Sequence, residues 1–247
     1  MRIGILGASG RVGTKLVETI LASPGLELGA ALVSPGSHLI GKPVGGGSIE
    51  YRPAEKSMRH HCDVMIDFSS PEASLAFQEM VDRKCQAIVI GTTGFTKTQN
   101  DKLTAYSAYR PLLISANFAF GFEAFKQAAL GFARNVPGAE PTIIETYHAR
   151  KKQEPSGTSQ ILAKALQDER TKIMAFDAAE TPIRIYREAD VAGINEVKFQ
   201  LASGEVSFKY TIQNLSAYVE GAIAAALWLG TKTPPNGRYS LADSLHS

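Results

Sequence analysis

The side chains best suited to chemistry are concentrated in one segment, Glu145–Thr158. Within it, Tyr147 and His148 can donate or accept a proton, and Lys151 and Lys152 add positive charge. Groups of this kind, placed within a few residues of one another, suit proton transfer to an anionic substrate. A solvated basic loop is the alternative interpretation, so the neighbouring elements have to decide between the two.

The residues on either side of this segment are compatible with a binding site. The apolar run Ile143–Ile144 predicts a strand, Pro141–Thr146, that leads into it, and Ser159–Leu166 has the periodicity of a helix after it. That helix opens at Pro155–Thr158, where backbone N–H groups can receive a carboxylate or a phosphate. An ordinary helix cap has the same pattern, so the segment by itself leaves both interpretations open.

The composition is that of a globular protein with no evident macromolecular partner. The 247 residues carry a formal net charge of +2 and 44% are hydrophobic, so neither nucleic acid nor an anionic membrane is favoured as a partner. Cys62 and Cys85 lack the spacing of a metal site or a disulfide framework. No apolar run approaches the length of a membrane span, and a strand pattern that starts at Arg2 leaves no room for a cleaved signal. We therefore expect a cytoplasmic protein that binds no metal and spans no membrane.

The N-terminal segment has the pattern of a dinucleotide-binding βαβ unit. Strand patterns at Arg2–Leu6 and Leu26–Val33 flank a helical run at Thr14–Ala22, and the glycine-rich turn Gly7–Gly13 follows the first strand. The first glycine of this GxxGxxG turn permits a tight bend, the second lets the backbone approach a pyrophosphate, and the third lets the helix pack on the strand. This context favours a nucleotide site over a purely structural turn.

The end of the second predicted strand favours NADPH over NADH. NAD-binding units usually place a carboxylate there to hold the ribose hydroxyls, whereas this chain has Val33 followed by Ser34. A 2′-phosphate would not be repelled, and the side chains that could contact it are Arg11, Ser34, His38 and Lys42. The next segment, Pro35–Pro53, is either a loop over the adenosine end of the cofactor or a surface connection.

Three further βα units follow, and each of their strands ends in small or polar residues. The strand patterns are Val64–Phe68, Ala87–Ile90 and Pro111–Ser115, and their ends read Asp-Phe-Ser, Gly-Thr-Thr-Gly and Ala-Asn-Phe. In a parallel sheet these ends share one edge, where the ligands of open α/β folds bind. Together with the glycine turn they predict a crevice for a dinucleotide.

Beyond Gly121 the regular alternation of strand and helix changes, which indicates a second domain. A long helix at Phe122–Asn135 and a hairpin formed by Glu196–Leu201 and Glu205–Gln213 predict an α+β domain. The alanine-rich helix Ala217–Leu229 and the tail then return to the first domain. The predicted fold class is α/β, with one domain at 1–118 plus 216–247 and a second at 119–215.

These motifs together resemble the dihydrodipicolinate reductase family, and the match covers nearly the whole chain. The motifs that carry it are Gly7–Gly13, Val64–Ser69, Ile90–Phe95, Ala116–Phe118 and Pro155–Thr158. The resemblance implies a Rossmann-like dinucleotide-binding domain and an inserted α+β domain that binds substrate and forms a homotetramer through its sheet. It also implies hydride transfer from NADPH or NADH to 4-hydroxy-tetrahydrodipicolinate, a cyclic imine dicarboxylate of the diaminopimelate pathway to lysine.

The resemblance also implies roles for individual residues. The candidates for binding the substrate carboxylates are His148, Lys151, Ser156, Gly157 and Thr158, and the catalytic candidates are Tyr147, His148 and Lys151. The candidates for binding the cofactor are Gly7, Ser9, Gly10, Arg11, Val12, Ser34, Phe68, Gly91, Thr93, Ala116, Asn117 and Phe118. Among the latter, Gly10–Val12 would contact the pyrophosphate, Gly91 and Thr93 would lie near the nicotinamide end, and Ala116–Phe118 would lie beside the nicotinamide ring.

The chain departs from the family pattern at the position of the proposed general acid. The family has two adjacent histidines, and Tyr147 replaces the first with a phenol, whose ordinary pKa of about 10 is far above that of imidazole. The other departures are Val33, Gln153-Glu154, Tyr210-Thr211 and Leu215.

Three interpretations of Tyr147 are open. In the first, Tyr147 is the proton donor, and the positive charge of Lys151 or Arg150 lowers its pKa. Alternatively, His148 or water donates the proton and Tyr147 is a wall of the pocket. In the third interpretation the chain acts on another imine, or it binds ligands as a regulatory protein without catalysis.

Overall fold

The computed structural model describes residues 1–54, 62–80, 87–149, 151, 153–174, 177–188, 191 and 193–244. The chain forms two compact units, of which the first comprises Met1–Ala119 with Tyr218–Ser247 and the second comprises Phe120–Ala217. The second unit is therefore inserted into the first, because the chain leaves the first unit after residue 119 and returns to it at residue 218.

The secondary structure of the described residues alternates between strand and helix through the first half of the chain. The strands are β1 (Arg2–Leu6), β2 (Glu27–Val33), β3 (Tyr51–Pro53), β4 (Val64–Asp67), β5 (Ala87–Ile90), β6 (Pro111–Ile114), β7 (Glu140–His148), β8 (Ile183–Glu188), β9 (Gly193–Leu201), β10 (Gly204–Ile212) and β11 (Gly237–Tyr239). The helices are α1 (Arg11–Ala22), α2 (Pro71–Met80), α3 (Lys97–Tyr106), α4 (Phe122–Asn135), α5 (Gly157–Met174) and α6 (Ser216–Lys232).

A parallel sheet organises the first unit. Within the described ranges its strands lie in the order β11-β6-β5-β4-β1-β2-β3, and each neighbouring pair is parallel. The direction of winding reverses between β1 and β4, which is the topological switch point where folds of this type bind ligands beyond the carboxyl ends of the strands. The predicted Rossmann-like fold is therefore confirmed, and the tail returns to this sheet as β11.

The strands of this sheet are apolar because helices cover both of its faces. Successive side chains of a strand point to opposite faces, so Ile66 and Val89 join a core that also contains buried residues of α1 and α6. Their neighbours Met65 and Ile88 join a second core that contains buried residues of α2 and α3. The two cores fix the sheet between its helices and hold the carboxyl ends of the strands in one row.

The second unit has a mixed sheet in the order β10-β9-β7-β8 over the residues that are described. The pairs β9–β10 and β7–β9 are antiparallel, which confirms the predicted hairpin, whereas β7 and β8 are parallel. Parallel neighbours need a crossover connection, and α5 provides it between β7 and β8. Both α4 and α5 contact this sheet, α4 through β10 and α5 through β7.

One difference from the predicted elements bears directly on the site. The sequence predicts that the strand ends at Thr146, but β7 continues through Tyr147 and His148. These two residues pair with Arg187 and Glu188 on β8, and this pairing extends the strand. Tyr147 and His148 are therefore held by the sheet and do not belong to a loop.

Two other segments also differ from the predicted elements. Helix α5 begins at Gly157, two residues before the predicted start near Ser159. The segment Pro35–Pro53, predicted to be irregular, ends in β3, which pairs in parallel with β2.

Candidate active site

The site of the second unit is built on the buried face of β7. Glu145 and Tyr147 share this face because they are two residues apart on a strand. The register of the sheet places Arg187 of β8 beside Tyr147 and Asn195 of β9 beside Glu145. Three strands thus bring four polar side chains together.

Glu145 is the centre of a buried hydrogen-bond network. Its side chain is fully buried, and its Oε2 accepts hydrogen bonds from the Ser156 N–H at 2.8 Å and from the Ser159 hydroxyl. Its Oε1 accepts a hydrogen bond from Arg187 Nη2 at 2.9 Å, in an ion pair whose side chains are 0% and 4% exposed. Burial by itself would raise the pKa of Glu145, but the hydrogen bonds from Ser156, Ser159 and Arg187 outweigh burial and lower this pKa. The carboxylate is therefore charged and fastens the start of α5 to β7.

Ser156 is the N-cap of α5. Its hydroxyl accepts a hydrogen bond from the Ser159 N–H at 3.2 Å, while its own N–H donates to Glu145. Ser156 is only 7% exposed, and both its N–H and its hydroxyl have hydrogen-bond partners inside the protein. Its predicted contact with substrate stays a prediction.

Gly157 and Thr158 form the first turn of α5 that follows this cap. Gly157 is exposed and Thr158 is half-buried. No described atom would lie within 4 Å of a Cβ at Gly157, apart from its chain neighbours. The fold therefore leaves open space at Gly157, where the backbone at the positive end of the helix dipole can be approached by an anion.

Tyr147 presents the face of its ring to Lys151. The Lys151 Nζ lies 3.3 Å from the centroid of the ring, a cation–π contact. The phenol oxygen accepts a hydrogen bond from Asn195 Nδ2 at 3.2 Å, and Tyr147 and Asn195 are 5% and 0% exposed. The hydroxyl is therefore engaged inside the protein while the ring carries the cation.

The pKa of Lys151 lies below its ordinary value. Burial is the largest cause, because it disfavours the charged amine, and the positive charge of Arg187 acts in the same direction. The negative charge of Glu145 opposes both of these effects. An ammonium with a lowered pKa gives up its proton more readily than an exposed lysine does.

His148 lies on the other side of β7 by strand alternation, since it follows Tyr147 directly. It is half-buried, and its Nδ1 is buried without a hydrogen-bond partner in the described part of the chain. Its predicted roles in catalysis and in substrate binding stay predictions. Arg150 and Lys152 lie outside the described residues.

The glycine turn of the first unit packs closely and leads directly into α1. Gly7 has a positive φ of 86°, and a Cβ at Gly13 would lie 2.0 Å from the Gly7 carbonyl oxygen, so only glycine allows this close packing of α1 on β1. Gly10 is the N-cap of α1 and makes no side-chain cap. The Gly10 N–H donates to the Gly7 carbonyl oxygen at 2.9 Å, whereas the N–H groups of the first helical turn, which begins at the exposed Arg11, can face an anion. This arrangement fits a dinucleotide.

A buried carboxylate ties together the ends of β4 and β5. Asp67 is 1% exposed, and its Oδ1 accepts hydrogen bonds from the N–H and the hydroxyl of Ser69 at 2.9 and 2.6 Å and from the Thr92 hydroxyl at 2.9 Å. Burial raises the pKa of Asp67, although the hydrogen bonds from the serine and threonine side chains oppose this effect. Gly91 directly precedes Thr92 in the chain. A Cβ at Gly91 would lie 2.3 Å from the Phe68 ring, so the ring packs directly against this glycine.

The predicted cofactor residues lie at the carboxyl ends of their strands or next to them, and they differ in exposure. Phe118 is 1% exposed and meets Phe68 edge to face at 5.7 Å, and Asn117 is 3% exposed, with its Oδ1 accepting a hydrogen bond from the Ala119 N–H at 2.8 Å. These two side chains are therefore packed inside the protein, and their predicted contacts with the cofactor stay predictions. The exposed candidates are Ser9, Gly10, Arg11, Ser34, Thr93 and Ala116, and the half-buried ones are Gly7, Val12, Phe68 and Gly91.

Sequence reasoning assigned no role to Arg187, Asn195 or Asp67. A signal for Arg187 was present, because it alternates with Ile183 and Ile185 on the half-buried side of β8. A cation in such a series requires a buried acid as its partner. Asn195 carried no comparable signal, since only the register of β7 and β9 places it beside Glu145.

The described residues contain neither a metal-binding cluster nor a membrane-spanning helix. No group of three or more His, Cys, Asp or Glu side chains there could hold a metal ion. None of the helices in those residues combines the length and the apolar character needed to cross a membrane.

The chain matches known proteins over nearly its full length. Residues 1–118 match the family model described as "Dihydrodipicolinate reductase, N-terminus", and residues 121–245 match "Dihydrodipicolinate reductase, C-terminus". A 4-hydroxy-tetrahydrodipicolinate reductase from Methanoregula boonei is 30% identical, with 99% of this chain and 97% of the relative covered. Another from Ralstonia pickettii is 31% identical, with 99% of each chain covered.

A solved structure shares the fold. A dipicolinate-bound dihydrodipicolinate reductase from Paenisporosarcina sp. TG-14 superposes with a TM-score of 0.77 at 20% identity, with 97% of each chain covered. At this level of identity the likeness is one of fold alone. Together with the sequence matches, it confirms the resemblance that the motifs indicated.

Proposed function

The chain belongs to the dihydrodipicolinate reductase family of NAD(P)H-dependent oxidoreductases, and we propose that it reduces 4-hydroxy-tetrahydrodipicolinate, a cyclic imine dicarboxylate. One observation carries the proposal: the Lys151 ammonium and the open start of α5 at Gly157 are anchored to the same buried network around Glu145. A cation and a helix N-terminus held by one rigid support suit a ring that carries two carboxylates.

The second unit would bind the substrate. Gly157 and Thr158 would receive one carboxylate through their backbone N–H groups, because these lie at the positive end of α5. Lys151 would attract the other carboxylate or the imine nitrogen. Ser156 would act by fixing the helix start, since its N–H and hydroxyl already have partners in the protein.

The reaction needs a hydride on carbon and a proton on nitrogen. Reduced nicotinamide, when bound, supplies the hydride. Lys151 would supply the proton, because burial lowers its pKa and the Tyr147 ring holds its ammonium in place. In the first unit, the segment Gly10–Val12 would bind the pyrophosphate through the backbone N–H groups of Arg11 and Val12, and Phe68, Gly91 and Thr93 would position the nicotinamide.

NADPH is the proposed preference between the two cofactors. Val33, at the end of β2, is 3% exposed, and the residue that follows it is the exposed Ser34, so no carboxylate stands there to repel a 2′-phosphate. Arg11 is exposed at the start of α1 and can contact that phosphate. We expect Arg11→Ala to raise the KM for NADPH about tenfold and to leave the KM for NADH nearly unchanged. Equal effects on both cofactors would contradict this assignment.

A homotetramer and a cytoplasmic location belong to the same proposal. The outward face of the four-stranded sheet in the second unit carries Tyr186, which is 49% exposed, and this face would pair between copies. Light scattering of the purified chain would test the tetramer, and cell fractionation would test the location.

The decisive experiment is a reduction assay with the full chain. Freshly generated 4-hydroxy-tetrahydrodipicolinate would be added with NADPH or NADH, and consumption of the reduced nicotinamide would be followed. Lys151→Ala should raise KM and lower kcat by at least about 100-fold. Lys164→Ala is the matched control, because this lysine is 71% exposed on α5 and should leave both constants unchanged.

Two results would point away from the proposal. Nucleotide binding without turnover of any imine would identify a ligand-binding homologue that has lost catalysis. Turnover of a different imino acid, with none of the dicarboxylate, would assign another substrate to the same fold.

A further inference from the structure

We propose that Tyr147, which stands at the family's general-acid position, is a positioning residue whose ring forms a platform for the Lys151 ammonium and whose hydroxyl exchanges no proton with substrate. The inference rests on the proposed function, because it assigns a role within that active site. It agrees with the second interpretation that the sequence left open in making Tyr147 part of the pocket, and it differs from that interpretation because Lys151, and not His148 or water, is the acid.

The position of the phenol hydroxyl argues against proton donation to a substrate. A general acid must come within hydrogen-bond reach of the atom that it protonates. The Tyr147 oxygen instead accepts a hydrogen bond from Asn195 Nδ2 at 3.2 Å, and it lies inside the protein, because Asn195 is 0% exposed and Tyr147 is 5% exposed. The Asn195 Oδ1 in turn lies 3.4 Å from the Ser159 hydroxyl, so the phenol is continuous with the network beneath α5.

Gly193 packs against the ring of Tyr147. A Cβ at Gly193 would lie 2.7 Å from Tyr147 Cε1, which is closer than two carbon atoms can approach without displacement. The backbone of β9 and the hydrogen bond from Asn195 therefore fix where the ring lies. One face of the ring lies against the Lys151 Nζ at 3.3 Å from its centroid.

A ring holds a cation in a way that a carboxylate does not. The ammonium is attracted to the π face of the ring, so its three N–H groups need not all donate hydrogen bonds to protein atoms. Glu145 is the nearby anion, but its oxygens already accept hydrogen bonds from Ser156, Ser159 and Arg187. In the described residues the ring thus holds the ammonium while leaving N–H groups for a substrate carboxylate or imine.

Two charged groups bear on Lys151 in this position. Glu145 of β7 favours the ammonium, and Arg187 of β8, whose Cζ lies 6.0 Å from the ring centroid, disfavours it. Burial also disfavours the charged form. The ring face adds a stabilising contribution to the ammonium, so its removal should make Lys151 a weaker base.

Three variants separate the ring from the hydroxyl. Tyr147→Phe keeps the ring and removes the hydroxyl, whereas Tyr147→Leu removes the ring. Gly193→Ala leaves every polar group in place and displaces the ring through the added methyl. If Gly193→Ala or Tyr147→Leu folds poorly, Tyr147→Phe still decides the role of the hydroxyl, because it removes a single buried oxygen.

The first readout is the pKa of the Lys151 amine, which needs no enzymatic activity. Trace labelling with acetic anhydride at a series of pH values, followed by mass spectrometry, measures this pKa with the exposed Lys164 as internal reference. We expect Tyr147→Phe to match the wild type within about 0.3 units, since the ring is retained. Tyr147→Leu and Gly193→Ala should lower the Lys151 pKa by about 0.4 to 1.5 units, the range of an aromatic–ammonium contact.

The second readout is the kinetics with NADPH and the imine dicarboxylate. Tyr147→Phe should keep kcat within about threefold of the wild type, and Tyr147→Leu should shift the alkaline limb of the kcat profile to lower pH together with the Lys151 pKa. A fall in kcat of about 100-fold or more in Tyr147→Phe, or an unchanged or raised Lys151 pKa in Tyr147→Leu, would overturn the inference. If the wild type proves inactive, the labelling result still tests the platform, so the two proposals fail separately.

Discussion

Replacement of Glu145 by glutamine is the sharpest test of the network that supports the site. The carboxylate is 0% exposed and accepts hydrogen bonds from Ser156, Ser159 and Arg187. Glutamine has the same shape but one oxygen, so its NH₂ group must face either the Arg187 guanidinium or the Ser156 N–H. Both of these are donors, so at least one hydrogen bond is lost in either orientation, and the Ser159 hydroxyl also donates to the oxygen that faces Ser156.

The expected loss follows from the charge that remains. Arg187 is 4% exposed and would be left without its carboxylate. Removal of one partner of a buried ion pair typically costs about 3 to 5 kcal/mol, and a buried donor without an acceptor adds to this cost. We therefore expect Glu145→Gln to lower the free energy of unfolding of the second unit by at least about 3 kcal/mol.

The assay has to observe the second unit by itself. The single tryptophan, Trp228, belongs to the first unit and does not report on β7. Native-state hydrogen exchange with mass spectrometry would follow the amides of β7 and α5 against those of β1 and β4 as an internal reference. Glu205→Gln is the matched control, because the Lys198–Glu205 pair has side chains that are 33% and 55% exposed and should contribute at most about 1 kcal/mol.

The dependence on pH adds a second check. The Glu145 pKa is lowered from its ordinary value of 4.5, so its stabilising contribution is complete above that pH and is lost as the pH falls through the lower pKa of the folded state. The difference between wild type and Glu145→Gln should therefore narrow below pH 4.5. A loss of less than about 1 kcal/mol at neutral pH, or a difference independent of pH, would refute this account of the network.

Three further substitutions test other parts of the molecule. Gly157→Ala should change the free energy of unfolding by less than about 0.5 kcal/mol but raise the KM for the dicarboxylate about tenfold. Gly138→Ala is the control, because Gly138 also lies in open space, and it should change neither quantity. An unchanged KM in Gly157→Ala would argue against an anion site at the start of α5. Gly13→Ala should lower the free energy of unfolding by at least about 3 kcal/mol, because its Cβ would lie 2.0 Å from the Gly7 carbonyl oxygen. Thermal unfolding followed by Trp228 fluorescence would measure this loss. A melting temperature equal to that of the wild type would refute the close packing at Gly13. Asp67→Asn should become progressively more stable relative to wild type as the pH rises above 3.8, because the raised pKa of Asp67 makes its ionisation costly in the folded state. Chemical denaturation at a series of pH values measures the difference in free energy of unfolding between the two proteins. A difference that does not change with pH would contradict a raised pKa for this buried carboxyl group.

Local patterns predicted the first unit well because its elements depend on neighbours in sequence. Buried parallel strands are short apolar runs, and the glycines that follow β1 are required by backbone geometry within seven residues of one another, Gly7 to Gly13. The small and polar residues after β4, β5 and β6 also lie next to their strands in the chain. The parallel strands and the row of their carboxyl ends could therefore be inferred from the sequence alone.

The candidate site of the second unit could be predicted only in part. Lys151 and the small residues before α5 were recognised because they are adjacent in the chain. The extension of β7 to His148 was missed, because it depends on pairing with β8, which lies about forty residues further on. The sequence alone therefore leaves Tyr147 open as a proton donor, whereas in the sheet its hydroxyl oxygen accepts a hydrogen bond from the buried Asn195.

By itself, the sequence determined which residue types stand in the segment Glu145–Thr158: a carboxylate, a phenol, a lysine and a helix start. Tertiary structure decided what each of them can do. Glu145 meets Arg187 across 42 positions of the chain, and Tyr147 meets Asn195 across 48. Such pairings arise from strand register, a property of the whole sheet that no local pattern encodes. This register lets Glu145 fasten the start of α5 to β7 and places the Tyr147 ring against the Lys151 ammonium.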